Sequence, residues 1–249
     1  MMSEFYDLLW LNCSAASKQK FYLKQKFNKK SKQLKFLRRY KAEFFDMPFF
    51  LFSELVEYLE EIISENKDIV FVVSGKIDGE LSYVQFDSKK TEDEQVRVYS
   101  IGGRIRSGLV PAFIQVRDIC KKNDISKAAF LAELYVVDFS DEKTYWYRPF
   151  NEAQSILRKP LNDEDLKSIA LDFYEVVYID DVNVLDNADY ICRLQILERL
   201  FGKWKENKIV HCTPYIVTSS VEDIRKWWDK NIKTEPRFEG AVIAILKKK

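Results

Sequence analysis

Histidine is almost missing from this sequence: among 249 residues there is a single one, His211. The four cysteines, Cys13, Cys120, Cys192 and Cys212, lie far apart and form no C-x-x-C pair. Zinc-finger spacing is therefore excluded, and free thiols in a reducing compartment are expected. His211 adjoins Cys212, but neighbouring strand residues point to opposite faces, which favours a structural histidine over a Cys/His pair. An excess of charge of one sign is lacking too. Forty basic residues face 39 acidic ones, so the net charge of +1 selects no partner and only local distribution informs. No apolar run approaches the ~18 residues of a bilayer-spanning helix. The opening MMSEFYDLLWLN sets an acid before its short apolar run, the reverse of a secretory leader, so a cytoplasmic protein with no membrane partner is expected.

What is present is core material: 47% of residues are hydrophobic and 14% aromatic, enough for one large domain or two small ones. Residues 1–45 read as a basic, helical N-terminal segment, and residues 46–249 as one mixed α+β domain without repeat or linker. From Lys18 to Lys41 the chain is densely basic, contains no acid, and carries Phe21, Tyr22, Phe27, Phe36 and Tyr40. Such a segment can track a phosphate backbone while its rings stack. It can equally be a solvated helix whose apolar stripe packs on the main domain.

Along the main domain, Ser53-Glu54 opens a helix with Leu55, Leu59 and Ile62-Ile63 near helical period. Ile69–Val73, Leu81–Phe86 and Val96–Ile101 read as three strands joined by short turns, which implies a largely antiparallel sheet. Gly102 to Gly108, GGRIRSG, reads as a glycine-rich basic turn able to present N–H groups and guanidinium forks to phosphate. Ala112–Lys122 is predicted helical. Ala128–Phe139 is a strand interrupted by Glu133, a carboxylate costly to bury unless paired or ligating. Leu171–Ile179 is another strand, with Tyr174, Val176 and Tyr178 on one face and Phe173, Glu175 and Val177 on the other. Tyr190–Trp204 is helical and His211–Val217 a strand. Ser220 stands three residues before Asp223 at the start of a helix, the spacing of an N-cap. Phe238–Leu246, headed by Glu239-Gly240, is the last strand.

Phe71 to Phe86 is the most informative stretch. Two apolar runs flank Gly75, Lys76, Asp78, Gly79 and Glu80. Asp-Gly between apolar runs is a strong hairpin signal by itself, and Lys76 would then be a solvated strand-end residue. The downstream landmarks weigh the other way. Lys76-Ile77-Asp78-Gly79, then Tyr99-Ser100 with GGRIRSG, then Ala132-Glu133-Leu134, then the aromatic strand around Tyr174, and last Glu239-Gly240-Ala241-Val242, follow in order.

This order resembles the covalent nucleotidyltransferase superfamily, and within it the adenylation domain of ATP-dependent DNA ligases, over roughly residues 68–246. The resemblance implies a ligase-type nucleotidyltransferase fold, α+β, with antiparallel β-sheets flanked by helices. It implies that Lys76 attacks ATP to give a lysyl-AMP, with AMP then passed to the 5′-phosphate of nicked DNA. It further implies ATP contacts by Ser74, Lys76, Asp78, Gly79, Arg104, Glu133 and Tyr174, with Arg106 as an alternative phosphate contact. Tyr174 would stack on adenine, Glu133 would hold the ribose or the metal, and Mg2+ would be bound by Glu133 and Glu239. Leu81 stands where DNA ligases usually carry arginine, and Ala244 where a lysine commonly closes the Glu-Gly strand. An oligonucleotide-binding barrel supplied by a separate partner or domain is expected, since none follows Glu239. The enzyme alternatives are RNA ligation and guanylylation by a capping enzyme; the other is a non-catalytic nucleic-acid-binding relative.

Overall fold

The computed structural model describes residues 22–45, 51–66, 68–138, 146–147, 150–203, 208–235 and 237–247. Cys13, Phe21, Phe139 and Trp204 lie outside them, as does the stretch 1–17. In chain order the elements are β1 (Leu23–Phe27), α1 (Lys32–Phe45), α2 (Phe52–Glu65), β2 (Ile69–Ile77), β3 (Glu80–Asp87), β4 (Val96–Ser100) and β5 (Arg104–Gly108). Then come α3 (Pro111–Lys122), β6 (Lys127–Asp138), β7 (Trp146–Tyr147), α4 (Phe150–Arg158), α5 (Asp163–Lys167), β8 (Ile169–Ile179) and α6 (Val184–Asn187). The chain continues through α7 (Tyr190–Phe201), β9 (Val210–Cys212), β10 (Tyr215–Thr218), α8 (Val221–Asn231) and β11 (Phe238–Lys247).

The strands form two sheets. One has eight strands in the order β1-β5-β4-β3-β6-β8-β9, with β7 paired to β6; the other has three, β10-β2-β11. All pairs are antiparallel except β8 with β9. This is the expected α+β architecture of antiparallel sheets flanked by helices.

The large sheet is covered on one face by α3 and α7. Phe113 and Val116 of α3 and Leu194, Leu197 and Phe201 of α7 pack there on Val84, Phe130, Ala132, Leu134, Phe173 and Val176. Phe173 stacks on Phe201 at 4.0 Å, and Phe130 meets both rings edge-on. On the small sheet, strand alternation sends Phe71 and Val73 toward Val56 and Leu59 of α2 and Val221 and Ile224 of α8. The alternate residue Val72 joins the main core, together with Ala244 and Leu246 of β11. Ser74 and Lys76 follow Val72 at intervals of two, so they share its inward face.

Four local expectations change. First, Phe71–Phe86 is not a hairpin: β2 and β3 belong to different sheets, and Asp78-Gly79 is the corner between them. Second, His211–Val217 is two strands. β9 lies in the large sheet and β10 in the small one, with Thr213-Pro214 as the crossing. Third, GGRIRSG is a short turn followed by a strand, because Arg104–Gly108 pairs with β1 on one side and β4 on the other. Fourth, the basic segment is not one helix. Leu23–Phe27 is an edge strand of the large sheet, and Ser31 caps α1 by accepting the N–H of Leu34 on its hydroxyl at 3.1 Å. The sheet therefore extends across position 45 into the basic segment. A smaller shift affects α2, which starts at Phe52, with Glu54 accepting the N–H of Leu51 at 3.0 Å. The expected cap of α8 is present: the Ser220 hydroxyl accepts the N–H of Asp223 at 3.2 Å.

Candidate functional site

Lys76 is held by a strand paired on both edges. Ser74 lies opposite Tyr215 of β10 and Val242 of β11, and Lys76 lies opposite Gly240. At the crossing between sheets, Gly75 N–H donates to Pro214 O and the Thr213 hydroxyl donates to Gly75 O, each at 3.1 Å. Gly75 is required by packing, since a Cβ there would stand 2.4 Å from the ring of Phe238. The pairing of β11 is irregular between Phe238 and Gly240, and Glu239 sits at that bulge. Its carboxylate makes an ion pair with Lys76 Nζ, and the two side chains are 48% and 42% exposed. At the corner, a Cβ on Gly79 would meet Leu134 O at 3.0 Å and the Glu133 side chain at 3.1 Å. The corner residue is thus seated directly on β6.

Glu133 stands on β6 between Leu81 of β3 and Asp172 of β8. Its Oε2 is buried with no hydrogen-bond partner among the described residues. Burial pushes its carboxyl up to about 8; the Lys76 ammonium opposes the shift, while the carboxylates of Asp172, Asp78 and Glu80 add to it. The side chain therefore sits within reach of the Lys76 charge and carries unused hydrogen-bonding capacity.

Tyr174 reaches the same region by an irregularity. The β6–β8 register slips twice, leaving Tyr174 and Val177 without a direct partner on β6. A bulge re-aims the side chains around it. Regular alternation, as expected from the sequence, would set Tyr174 with Val176; instead Phe173 and Val176 enter the main core, and Tyr174 packs with Leu131, Val177, Leu81 and Tyr40. Burial raises the Tyr174 hydroxyl well above its ordinary value, with Glu133 adding to the shift.

Several groups around the site were not singled out as functional from sequence. Tyr190, at the start of α7, shares a hydrogen bond with Ser74. Arg193 grips Glu175 through two nitrogens, Nε to Oε1 at 2.5 Å and Nη2 to Oε2 at 3.0 Å, and donates to Ala188 O at 2.6 Å. That fork ties α7 to β8 and explains why an acid is tolerated in an apolar strand. Asp172, one strand from Glu133, lies 3.2 Å from His211 Nε2, which contacts the Tyr135 hydroxyl at 3.1 Å. All three are buried, so His211 has a structural setting, and Cys212 turns toward the core. The signal for Asp172 was available: it is a carboxylate inside an apolar run, the same argument that marked Glu133.

The structure therefore brings together Ser74, Lys76, Asp78, Gly79, Glu133, Tyr174 and Glu239. It does not bring Arg104 to them. Arg104 lies over the Phe27 ring at 5.8 Å on β5. Arg106 is fully buried, donating from Nη2 to Glu80 at 2.5 Å and from Nε to Leu157 O at 3.1 Å. Burial lowers its basicity, and Glu80 opposes that. Glu80 faces Leu134, on the side of β6 opposite Glu133. Arg106 is thus a packing residue that braces the corner at Gly79.

Among the described residues no three or more His, Cys, Asp or Glu side chains cluster to hold a metal ion. The arrangement is instead an amine and carboxylates at the corner between the two sheets, with aromatic and hydroxyl groups beside them.

A family model described as an ATP dependent DNA ligase domain matches residues 51–248. No curated protein matches the chain. Among solved structures it is similar to a mycobacterial DNA ligase D complexed with ATP and MES, at 16% identity and a TM-score of 0.43, covering 72% of this chain and 49% of that one. It is also similar to the ATP-dependent DNA ligase of bacteriophage T7 in complex with ATP, at 10% identity and a TM-score of 0.43, covering 74% and 59%. The chain thus spans about half the length of the solved structures it matches.

Proposed function

The chain belongs to the family of ATP-dependent DNA ligase domains, and from that premise we propose that it performs self-adenylation on Lys76 as the first step of sealing nicked DNA. The observation that carries this reading is the meeting of Lys76, Glu239 and the unpartnered Glu133 Oε2 at one corner between two sheets.

The Lys76 amine needs its lone pair, so the ion pair to Glu239 opens and the ammonium gives its proton to solvent water before attack. The Nζ–P bond then forms at the α-phosphorus of ATP while the α–β P–O bond breaks, and pyrophosphate departs. In the next step the DNA 5′-phosphate oxygen attacks the same phosphorus, the Nζ–P bond breaks, and AMP is carried on the DNA end. Last, the adjacent 3′-hydroxyl attacks the 5′-phosphate, loses its proton and releases AMP. Tyr174 offers a face for adenine, Glu133 accepts from the ribose, and the Ser74 hydroxyl with the Asp78-Gly79 corner holds the nucleophile strand in place. The proposed nucleotide contacts no longer include Arg104, which lies apart from the cleft.

Mg2+ fits as a substrate-borne ion. It binds through phosphates with one or two carboxylates rather than a closed protein cage, and Glu133 and Glu239 are the carboxylates that would hold it. When bound it neutralises phosphate charge during pyrophosphate departure. In this reading residues 46–249 act as the adenylation domain, an oligonucleotide-binding barrel comes from a separate partner or domain, and the setting is DNA repair or replication in the cytoplasm.

The test is incubation of the full chain with magnesium and α-labelled ATP or GTP. Label from ATP that is acid-labile, base-stable and lost in Lys76→Ala is the expected result. Label from GTP alone would favour capping chemistry. Ala244 lies on the inner face of β11, where the family commonly carries a lysine, and this favours the second reading, a nucleic-acid-binding relative without turnover. Absence of label from both nucleotides would select it.

A further inference from the structure

The basic segment divides into two halves with different electrostatic fates. The lysines of β1 are answered by acids. Lys24 pairs with Asp93, which also accepts from the Tyr22 hydroxyl at 2.6 Å, and Lys26 lies 3.8 Å from Glu94. Asp93 and Glu94 belong to the short turn before β4, and Glu94 is tied in addition to Arg97. These charges fasten the edge strand to the sheet.

The helix that follows is different. Leu34 and Leu37 of α1 are fully buried, and Phe36 and Tyr40 extend the same contact. The helix crosses the sheet: Leu34 lies by Gly103 at the β4–β5 turn, Leu37 lies with Tyr83, Tyr99 and Leu131, and Tyr40 joins the cluster that contains Tyr174. Glu133 follows Leu131 by two residues on β6, so it shares the face on which α1 lies. The outer face of α1 carries Lys32, Lys35 and Arg38, all exposed. None of these three makes an ion pair with any described residue. The result is a row of unanswered cations leading from the Tyr174 cluster toward the β4–β5 turn, outside the family match at residues 51–248.

We propose that α1 is a phosphate-tracking surface for duplex nucleic acid, with Lys32, Lys35 and Arg38 contacting the backbone and β1 serving only to anchor the helix. Charge complementarity selects this occupant: a polyanion of regular spacing releases counterions when it meets a cationic row, whereas an acidic pair elsewhere on the chain already neutralises β1. The proposal rests on the ligase reading for the identity of the duplex, and it goes beyond that reading by assigning the contact to an element upstream of the family match.

The experiment is fluorescence anisotropy of the full chain with a labelled nicked duplex between 50 and 200 mM salt, salt values chosen to span roughly the range over which backbone contacts are read. The variant K32Q/K35Q/R38Q is expected to lower the slope of log affinity against log salt by roughly 3, about 0.9 per contact. The variant K24Q/K26Q is expected to keep the wild-type slope and to unfold earlier in urea. An unchanged slope in the first variant, an equal loss in the second, or salt-independent binding by wild type each overturns the proposal. Circular dichroism of both variants separates a lost contact from a lost helix. Label transfer from ATP to wild-type protein reads the ligase proposal independently, so either can fail while the other stands.

Discussion

The two sheets that meet at Lys76 treat charge in opposite ways. The eight-stranded sheet shields its acids: Asp172 sits beside His211, Glu175 is gripped by Arg193, and desolvation raises the half-buried carboxyl of Glu133 above its ordinary value. The three-stranded sheet presents Lys76 and Glu239 at its open end, both about half exposed. Asp172 and Glu175 on the large sheet have fixed partners, and Glu133 beside them keeps an unpaired oxygen for the ribose of the proposed nucleotide. Groups on the small sheet can exchange partners, which a nucleophile must do when it moves from carboxylate to phosphate. Buried charge is costly to rearrange and exposed charge is not. The proposed nucleophile accordingly lies on the smaller, three-stranded sheet.

This contrast breaks first if the large sheet is not the main source of stability. Phe173 is fully buried, stacked on Phe201 and edge-on to Phe130. Truncating it in Phe173→Ala is expected to cost about 3–5 kcal/mol in urea unfolding. A cost below about 1 kcal/mol would mean the core can collapse around the gap. Gly75→Ala probes the small sheet. Its new Cβ meets the Phe238 ring, so β2 and β11 must part beside Lys76. The expected stability loss is smaller, about 1–3 kcal/mol, but label transfer to Lys76 should fall by at least tenfold. Wild-type label in this variant would show that the strand pairing does not position the nucleophile.

Much of the site was legible before the fold. The apolar runs of β2, β6, β8 and β11 announce strands, and a lysine, an acid and a Glu-Gly pair stand out within them. What was not legible is where strands find partners. Asp78-Gly79 reads the same in a hairpin and in a corner between sheets, because a turn is local and the partner of β2 comes from β10 and β11, more than a hundred residues later. The split of His211–Val217 hangs on Pro214 and on the contacts of Thr213 with Gly75, neither visible as periodicity. Arg106 read as an alternative phosphate contact because its partner, Glu80, lies two strands away. The faces of β8 were misassigned because a bulge adds a residue without changing composition.

Glu133 offers the finest test of the contrast, through pH rather than through size. Its folded carboxyl titrates near 8, well above the ordinary glutamate value, so between the two the folded state binds more protons than the unfolded state. Stability from this group is complete below the unfolded value near 4.5 and is lost as pH rises through the folded one. The slope is at most about 1.4 kcal/mol per pH unit for a single proton. Solvent access to part of the side chain narrows the pH window over which this slope acts, by drawing the folded value back toward the ordinary one. The charges acting on it are Lys76, Asp172, Asp78 and, from across the sheet, Glu80, and of these only Lys76 opposes the shift. Glu133→Gln keeps the shape and removes the titration. The unfolding free energy of wild type, followed from pH 6 to 8.5 without nucleotide, should decline more steeply than that of the variant, with the two curves running parallel again above pH 8.5. Curves parallel throughout would mean that Glu133 is already ionised in the folded chain, and that the large sheet leaves a charge open toward Lys76 just as the small sheet does.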